Sequence, residues 1–151
     1  MKNGVGPKIR VKILAVDDEK DITDLIVRYF TFKGYDIIGL NDPVEALGLV
    51  EEKNFQVIIS DIVMPGMDGL EFLRKIKEHN GGIQVIMITG HVTMHNILTA
   101  MRLGAETIFF KPLQDLDELE TAIGGCIDKI AMWQDILKKL GAMGRTDQPN
   151  A

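Results

Sequence analysis

Five polar positions each close an apolar run: Asp17, Asp18, Asp61, Thr89 and Lys111. Three carboxylates, a hydroxyl and an ammonium are the parts that phosphoryl transfer requires. Brought together, the acids repel, and a pair at 4 Å in an effective dielectric near 20 costs about 4 kcal/mol. A divalent cation relieves that repulsion. An all-oxygen, carboxylate-rich set favours Mg2+, with waters completing its octahedron. One carboxylate can then act as nucleophile and hold an acyl phosphate. The cation, Lys111 and the Thr89 hydroxyl would meet the phosphoryl oxygens. Gly90 allows close backbone approach beside Thr89, and Lys111-Pro112 is a candidate cis bond that aims the lysine.

Such convergence needs a scaffold, and the chain alternates short apolar runs with helical patterns. The runs are 11–16, 35–40, 56–60, 85–88 and 107–110. Between them, Ile22, Leu25, Ile26, Tyr29 and Phe30 have helical spacing closed by Gly34. Asn41-Asp42-Pro43 starts a second helix carrying Val44, Leu47 and Val50. The loop Pro65-Gly66-Met67-Asp68-Gly69 leads into a third, with Leu70, Leu73 and Ile76, which stops at Asn80-Gly81-Gly82. A fourth covers 94–103 and is closed by Gly104, and the last starts near Asp115. Strands apolar on both faces imply a parallel sheet covered by helices on both sides. In such a sheet the strand C-termini share one edge, where ligands bind. All five polar positions fall there.

With 151 residues, 46% hydrophobic and 26% charged, one α/β domain with its own core is expected. The net charge of −5 argues against direct nucleic-acid binding, which relies on excess Lys and Arg. No apolar run approaches the roughly 20 residues of a membrane helix. Met1 to Arg10 has no apolar segment of a signal peptide. A single cysteine, Cys126, fits a reducing compartment, so a cytoplasmic protein is expected.

Taken together, Asp17-Asp18, Asp61 with Met64-Pro65-Gly66-Met67-Asp68-Gly69, Thr89-Gly90, Gly104-Ala105 and Lys111-Pro112 resemble the receiver domain of bacterial two-component response regulators. The resemblance covers roughly residues 10–130. It implies a flavodoxin-like (βα)5 doubly wound parallel five-stranded sheet of order 2-1-3-4-5, an order that a well-known member of this family illustrates. It implies residue roles: Asp61 as phosphoacceptor, Asp18 as direct Mg2+ ligand, Asp17 acting largely through water, and the carbonyl of Val63 as backbone ligand. Lys111 would pair with the phosphate, and Thr89 would be the switch hydroxyl. The implied donor is a phosphohistidine on a sensor histidine kinase or phosphotransfer domain. The implied output is a change on the face formed by the fourth helix, fifth strand and fifth helix, read by a downstream protein or an output domain. Ile108 departs from the pattern, which has Tyr or Phe three residues before the lysine. Phe109 and Phe110 are adjacent, but a one-residue shift in a strand turns a side chain to the opposite face. A smaller rearrangement of that face is therefore expected. Val63 and His91 take positions that border the phosphate in the family. Val63 cannot orient a water, which points to slow self-dephosphorylation, whereas His91 acts oppositely if it admits water.

Simpler readings compete. Asp17-Asp18-Glu19 suits a helix N-terminus, yet capping needs neither Asp61 nor Lys111. His79, His91 and His95 lack zinc-ligand spacing, and the eight Met residues fit core filling. An aspartyl-nucleophile phosphatase would need an acid two residues past Asp61, where Val63 stands. A flavin site would need a Ser/Thr/Gly-rich loop in place of Asp17-Asp18-Glu19. The expected activity is thus a switch catalysing only its own phosphorylation and dephosphorylation.

The last helix carries Leu116, Leu119, Ile123, Cys126, Ile130, Trp133, Leu137 and Leu140 at alternating spacings of 3 and 4, a heptad seam. Gly124-Gly125 marks a candidate kink. Residues 1–9 are expected to form a flexible tail, 10–130 the receiver domain, and 131–151 a helical extension with disorder from 141. The extension is a candidate homodimer contact or the start of a signalling helix. The eleven residues after Leu140 cannot hold an output domain, so the chain is expected to act alone or as the receiver portion of a longer regulator.

Overall fold

The computed structural model describes residues 10–91 and 93–143. The strands are β1 (Lys12–Val16), β2 (Asp36–Leu40), β3 (Val57–Asp61), β4 (Gln84–Thr89) and β5 (Thr107–Phe110). The helices are α1 (Lys20–Phe32), α2 (Pro43–Glu52), α3 (Gly69–His79), α4 (Met94–Arg102) and α5 (Leu116–Met143). All strand pairs are parallel, in the order β2-β1-β3-β4-β5. The doubly wound (βα)5 sheet expected from the alternation is the one observed.

Side chains alternate across a pleated strand, and this splits the core in two. Leu14, Val16, Ile58, Val85 and Met87 point to one side, where α2 and α3 supply Ala46, Val50, Phe72, Leu73 and Ile76. Ile13, Ala15, Val57, Ile59, Ile86 and Ile88 point to the other, against Ile26 and Phe30 of α1 and Leu119, Ile123, Cys126 and Ile130 of α5. Each of these strands is buried on both faces, which is why it reads as an unbroken apolar run.

Local signals set the helix ends. Asp42 accepts the Val44 N–H with Pro43 in the first turn, and Asp68 and Thr93 cap α3 and α4. Gly34, at φ +97°, follows α1 in the left-handed conformation that terminates helices. One expectation is corrected. Residues 141–143, expected to be disordered, are helical, because α5 runs to Met143. The helix is continuous through Gly124-Gly125, whose neighbours Ile123 and Cys126 are anchored in the core. Residues 1–9 and 144–151, assigned above to the tails, lie outside the described residues.

Candidate functional site

Asp17 follows β1, Asp61 ends β3, Thr89 ends β4 and Lys111 follows β5. The parallel register brings these ends level: Val16 pairs with Ser60, Asp61 with Ile88 and Thr89 with Phe110. The Lys111 ammonium stands 2.9 Å from Asp17 Oδ2, 2.9 Å from Asp61 Oδ2 and 2.7 Å from Glu19 Oε1. The Lys111–Pro112 peptide is cis. Glu19, Asp61 and Lys111 border an open cavity of about 470 Å³ whose wall also includes Asp18, Val63, Pro65 and His91. A larger hollow of about 750 Å³ lies between α3 and α4, so the site is marked by its charges and not by its size.

Asp17 is held from several sides. Its Oδ1 accepts the Glu19 N–H at 2.9 Å, and its carbonyl accepts the Asn41 side-chain amide at 2.7 Å. Asn41 also donates to Thr23 Oγ1, tying the ends of β1 and β2 to α1. Asp17 Oδ2 is buried and paired with the Lys111 ammonium. Burial raises the Asp17 carboxyl to about 6, against the Glu19 N–H and Lys111, which lower it. For Lys111, burial alone would depress the ammonium, but its bonds to Glu19, Asp17 and Asp61 outweigh that and hold its pKa above the ordinary value.

Asp61 is buried, with its second oxygen, Oδ1, accepting the Val63 N–H at 3.3 Å. Its strand end is braced by the entry to α3. The Gly69 N–H donates to the Ile62 carbonyl at 2.7 Å, and a Cβ at Gly69 would lie 2.0 Å from the Asp61 carbonyl oxygen. Only glycine lets these backbones meet.

The remaining expected residues are placed as follows. Asp18 is exposed on the cavity wall, and Glu19 is the acid that joins Asp17 and Asp61, with ligand oxygens within 4.8 Å of one another. Thr89 is fully buried and occupied within its own loop, donating to the His91 carbonyl at 3.1 Å and accepting the His91 N–H at 2.9 Å. Crowding does not demand glycine at position 90: an added Cβ would sit 3.8 Å from Lys111 Cδ, an ordinary contact. The capping reading of the first acids fails, because Glu19 is the N-cap residue of α1 yet its side chain makes no capping bond. Ile108 packs with the α3–α4 layer and Phe109 with the opposite one. Phe110 returns by alternation to the Ile108 face and is 52% exposed, so an aromatic does stand on that face, two residues nearer the lysine.

Among the described residues, Asp17, Glu19 and Asp61 form the one group of three acids close enough to hold a metal ion. The oxygen-only donors, two of them on buried aspartates, suit a hard divalent cation. An acid cluster beside a fixed ammonium, at the carboxyl edge of a parallel sheet, is a phosphoacceptor arrangement.

The chain belongs to the response regulator receiver domain family, whose match spans residues 13–124. It is 35% identical over 112 residues to "Sporulation initiation phosphotransferase F" of Bacillus subtilis, covering 74% of this chain and 90% of that protein. It is 32% identical over 121 residues to "Regulator of RpoS" of Escherichia coli K12, covering 80% of this chain and only 36% of that longer protein. Among solved structures, a CheY-like receiver domain protein from Methanospirillum hungatei superposes with a TM-score of 0.76 at 30% identity, over 81% of this chain and 97% of that one. The protein is thus a receiver domain of two-component signal transduction, with the acidic cluster of a phosphoacceptor in place.

Proposed function

We propose that Asp61 accepts a phosphoryl group from a phosphohistidine on a sensor histidine kinase or phosphotransfer domain, with Mg2+ held by Asp17, Asp18, Asp61 and the Val63 carbonyl. The observation that carries this reading is the Lys111 ammonium, 2.9 Å from both Asp17 and Asp61. An Asp61 carboxylate oxygen attacks phosphorus and forms the new P–O bond. The bond from phosphorus to the donor breaks, and its electron pair leaves with the donor. Bound Mg2+ would neutralise charge on the transferring group. Lys111 supplies a second cation already aimed at Asp61. The Thr89 hydroxyl, released from the His91 backbone, supplies a donor to the phosphoryl oxygens. That exchange links phosphorylation to the loop before α4, and so to the α4–β5–α5 face, where Met94, Met101 and Phe110 are exposed. A downstream protein or an output domain reads that face. The domain turns over no other substrate.

Incubation with Mg2+ and acetyl phosphate followed by intact-mass measurement tests this. One added phosphoryl group in wild type and none in Asp61→Asn is expected. Equal labelling of both proteins would refute the assignment.

Residues 10–130 constitute the receiver domain in this reading, and the end of α5 extends beyond it. Trp133, Leu137 and Leu140 continue the stripe of Leu119, Ile123, Cys126 and Ile130 into solvent, which supports a homodimer through α5.

A further inference from the structure

We infer that Glu19 is a positioning residue that restrains phosphorylation: it holds the Lys111 ammonium as a displaceable counter-ion that the incoming phosphoryl group must replace. The inference rests on the proposed role of Asp61.

Three acids share Lys111, but they differ in freedom. The Asp17 and Asp61 side chains are 1% and 6% exposed, whereas that of Glu19 is 58% exposed. The two aspartates are fixed by strand ends and backbone N–H groups. Glu19 alone can swing into water without leaving a buried charge behind. Its contact with Lys111 is also the shortest of the three, at 2.7 Å. Glu19 occupies the N-cap of α1, where a side-chain oxygen would ordinarily accept a helix N–H. It makes no such bond and is turned to Lys111, 92 residues away in sequence. Helix capping therefore does not explain its orientation, and the lysine does.

The same geometry carries a cost. The Glu19 carboxylate lies within 4.8 Å of the Asp17 and Asp61 oxygens. A dianionic donor approaching Asp61 meets it as a like charge and finds the ammonium partly neutralised. Glu19 stands within reach of the metal group, but in the proposed assignment Mg2+ is held by Asp17, Asp18, Asp61 and the Val63 carbonyl, and Glu19 acts on Lys111.

The test compares wild type with Glu19→Gln, which keeps the shape and removes the charge. Acetyl phosphate labelling is followed by intact mass, and Mg2+ binding to the unphosphorylated protein by calorimetry. Labelling is expected to speed up about two- to five-fold, the size of one solvent-screened charge contact. Mg2+ affinity is expected to fall by no more than about five-fold on the same scale, the loss of a nearby charge and not of a ligand. The gap between the proteins should close near 1 M salt, where the Debye length is about 3 Å. Slower labelling with roughly tenfold weaker Mg2+ binding would make Glu19 a metal ligand and overturn the inference. Unchanged labelling would overturn it as well, while leaving the role of Asp61 intact. Absence of labelling in wild type would defeat both.

Discussion

Three carboxylates around one ammonium leave the site with an excess of negative charge, and that imbalance makes its behaviour predictable. Removing Mg2+ is expected to lower stability, because a cation that binds only the folded site adds about 2.7 kcal/mol at a hundred times its Kd. Thermal melts with and without Mg2+ check this, and the difference should shrink in Asp17→Asn. A shift of equal size in the variant would remove Asp17 from the metal site. Val63 gives a second test. Its side chain is 43% exposed beside Asp61 and cannot orient a water, whereas an amide can. Val63→Asn is therefore expected to shorten the acyl-phosphate lifetime several-fold, as followed by mass after the donor is removed. An unchanged lifetime would count against Val63 as its determinant. The positions of Asp17, Asp61 and Lys111 were legible because a strand-end position is a property of sequence pattern. The direction of Glu19 was not, because local pattern points it to the helix it precedes. Only the fold reveals a lysine within 2.7 Å.

At the scale of elements, the five strands and five helices were readable because apolar runs and 3.6-residue periodicity report burial directly. Contacts between backbones leave no such trace. Gly69 looks in sequence like a turn glycine, yet it stands where α3 touches the end of β3. Gly69→Ala is expected to cost about 3 kcal/mol, the upper range for overpacking, and to slow labelling of Asp61, whose carbonyl must move. Urea unfolding measures the first effect and mass the second, and a neutral substitution would mean that β3 and α3 separate freely. The packing of α5 carries a pH dependence. Burial pushes the Cys126 thiol up to about 11 from 9.0, with Glu106 adding to the shift. Burial and the bond to Glu120 push Tyr35 to about 12 from 10.0. Both groups are neutral in the fold and ionise earlier when unfolded. Their contributions are complete below about pH 9 and are lost as pH rises through 9–11 for Cys126 and 10–12 for Tyr35. Denaturation at pH 8 and 10.5 should show the loss, and Cys126→Ala should show a smaller one. Identical slopes in both proteins would exclude the thiol as a source.

For the molecule as a whole, the open question of the fold is what the end of α5 does. Through Ile130 its apolar stripe is core, packed against the sheet. The thirteen residues beyond, 131–143, extend about 20 Å at 1.5 Å per residue. They keep the stripe, but Trp133, Leu137 and Leu140 are each more than half exposed. A helix this amphipathic gains nothing from solvent, and a second copy with the same spacing offers a matching surface. The seam outside the core spans fewer than the three to four heptads that make a coiled coil secure, so the pairing should be weak. A Kd of about 30 μM, near 6 kcal/mol, is the expected order. Sedimentation over a range of concentrations is therefore expected to show a monomer–dimer equilibrium for the full chain and a monomer for a chain ending at Lys129. Trp133→Ala should weaken the dimer, since a large buried aromatic contributes most of its energy through contact area. The truncation is expected to cost stability only through the loss of buried Ile130, because the exposed side chains of 131–143 give the core almost nothing to lose. If both chains sediment as monomers at every concentration, the stripe serves no second copy.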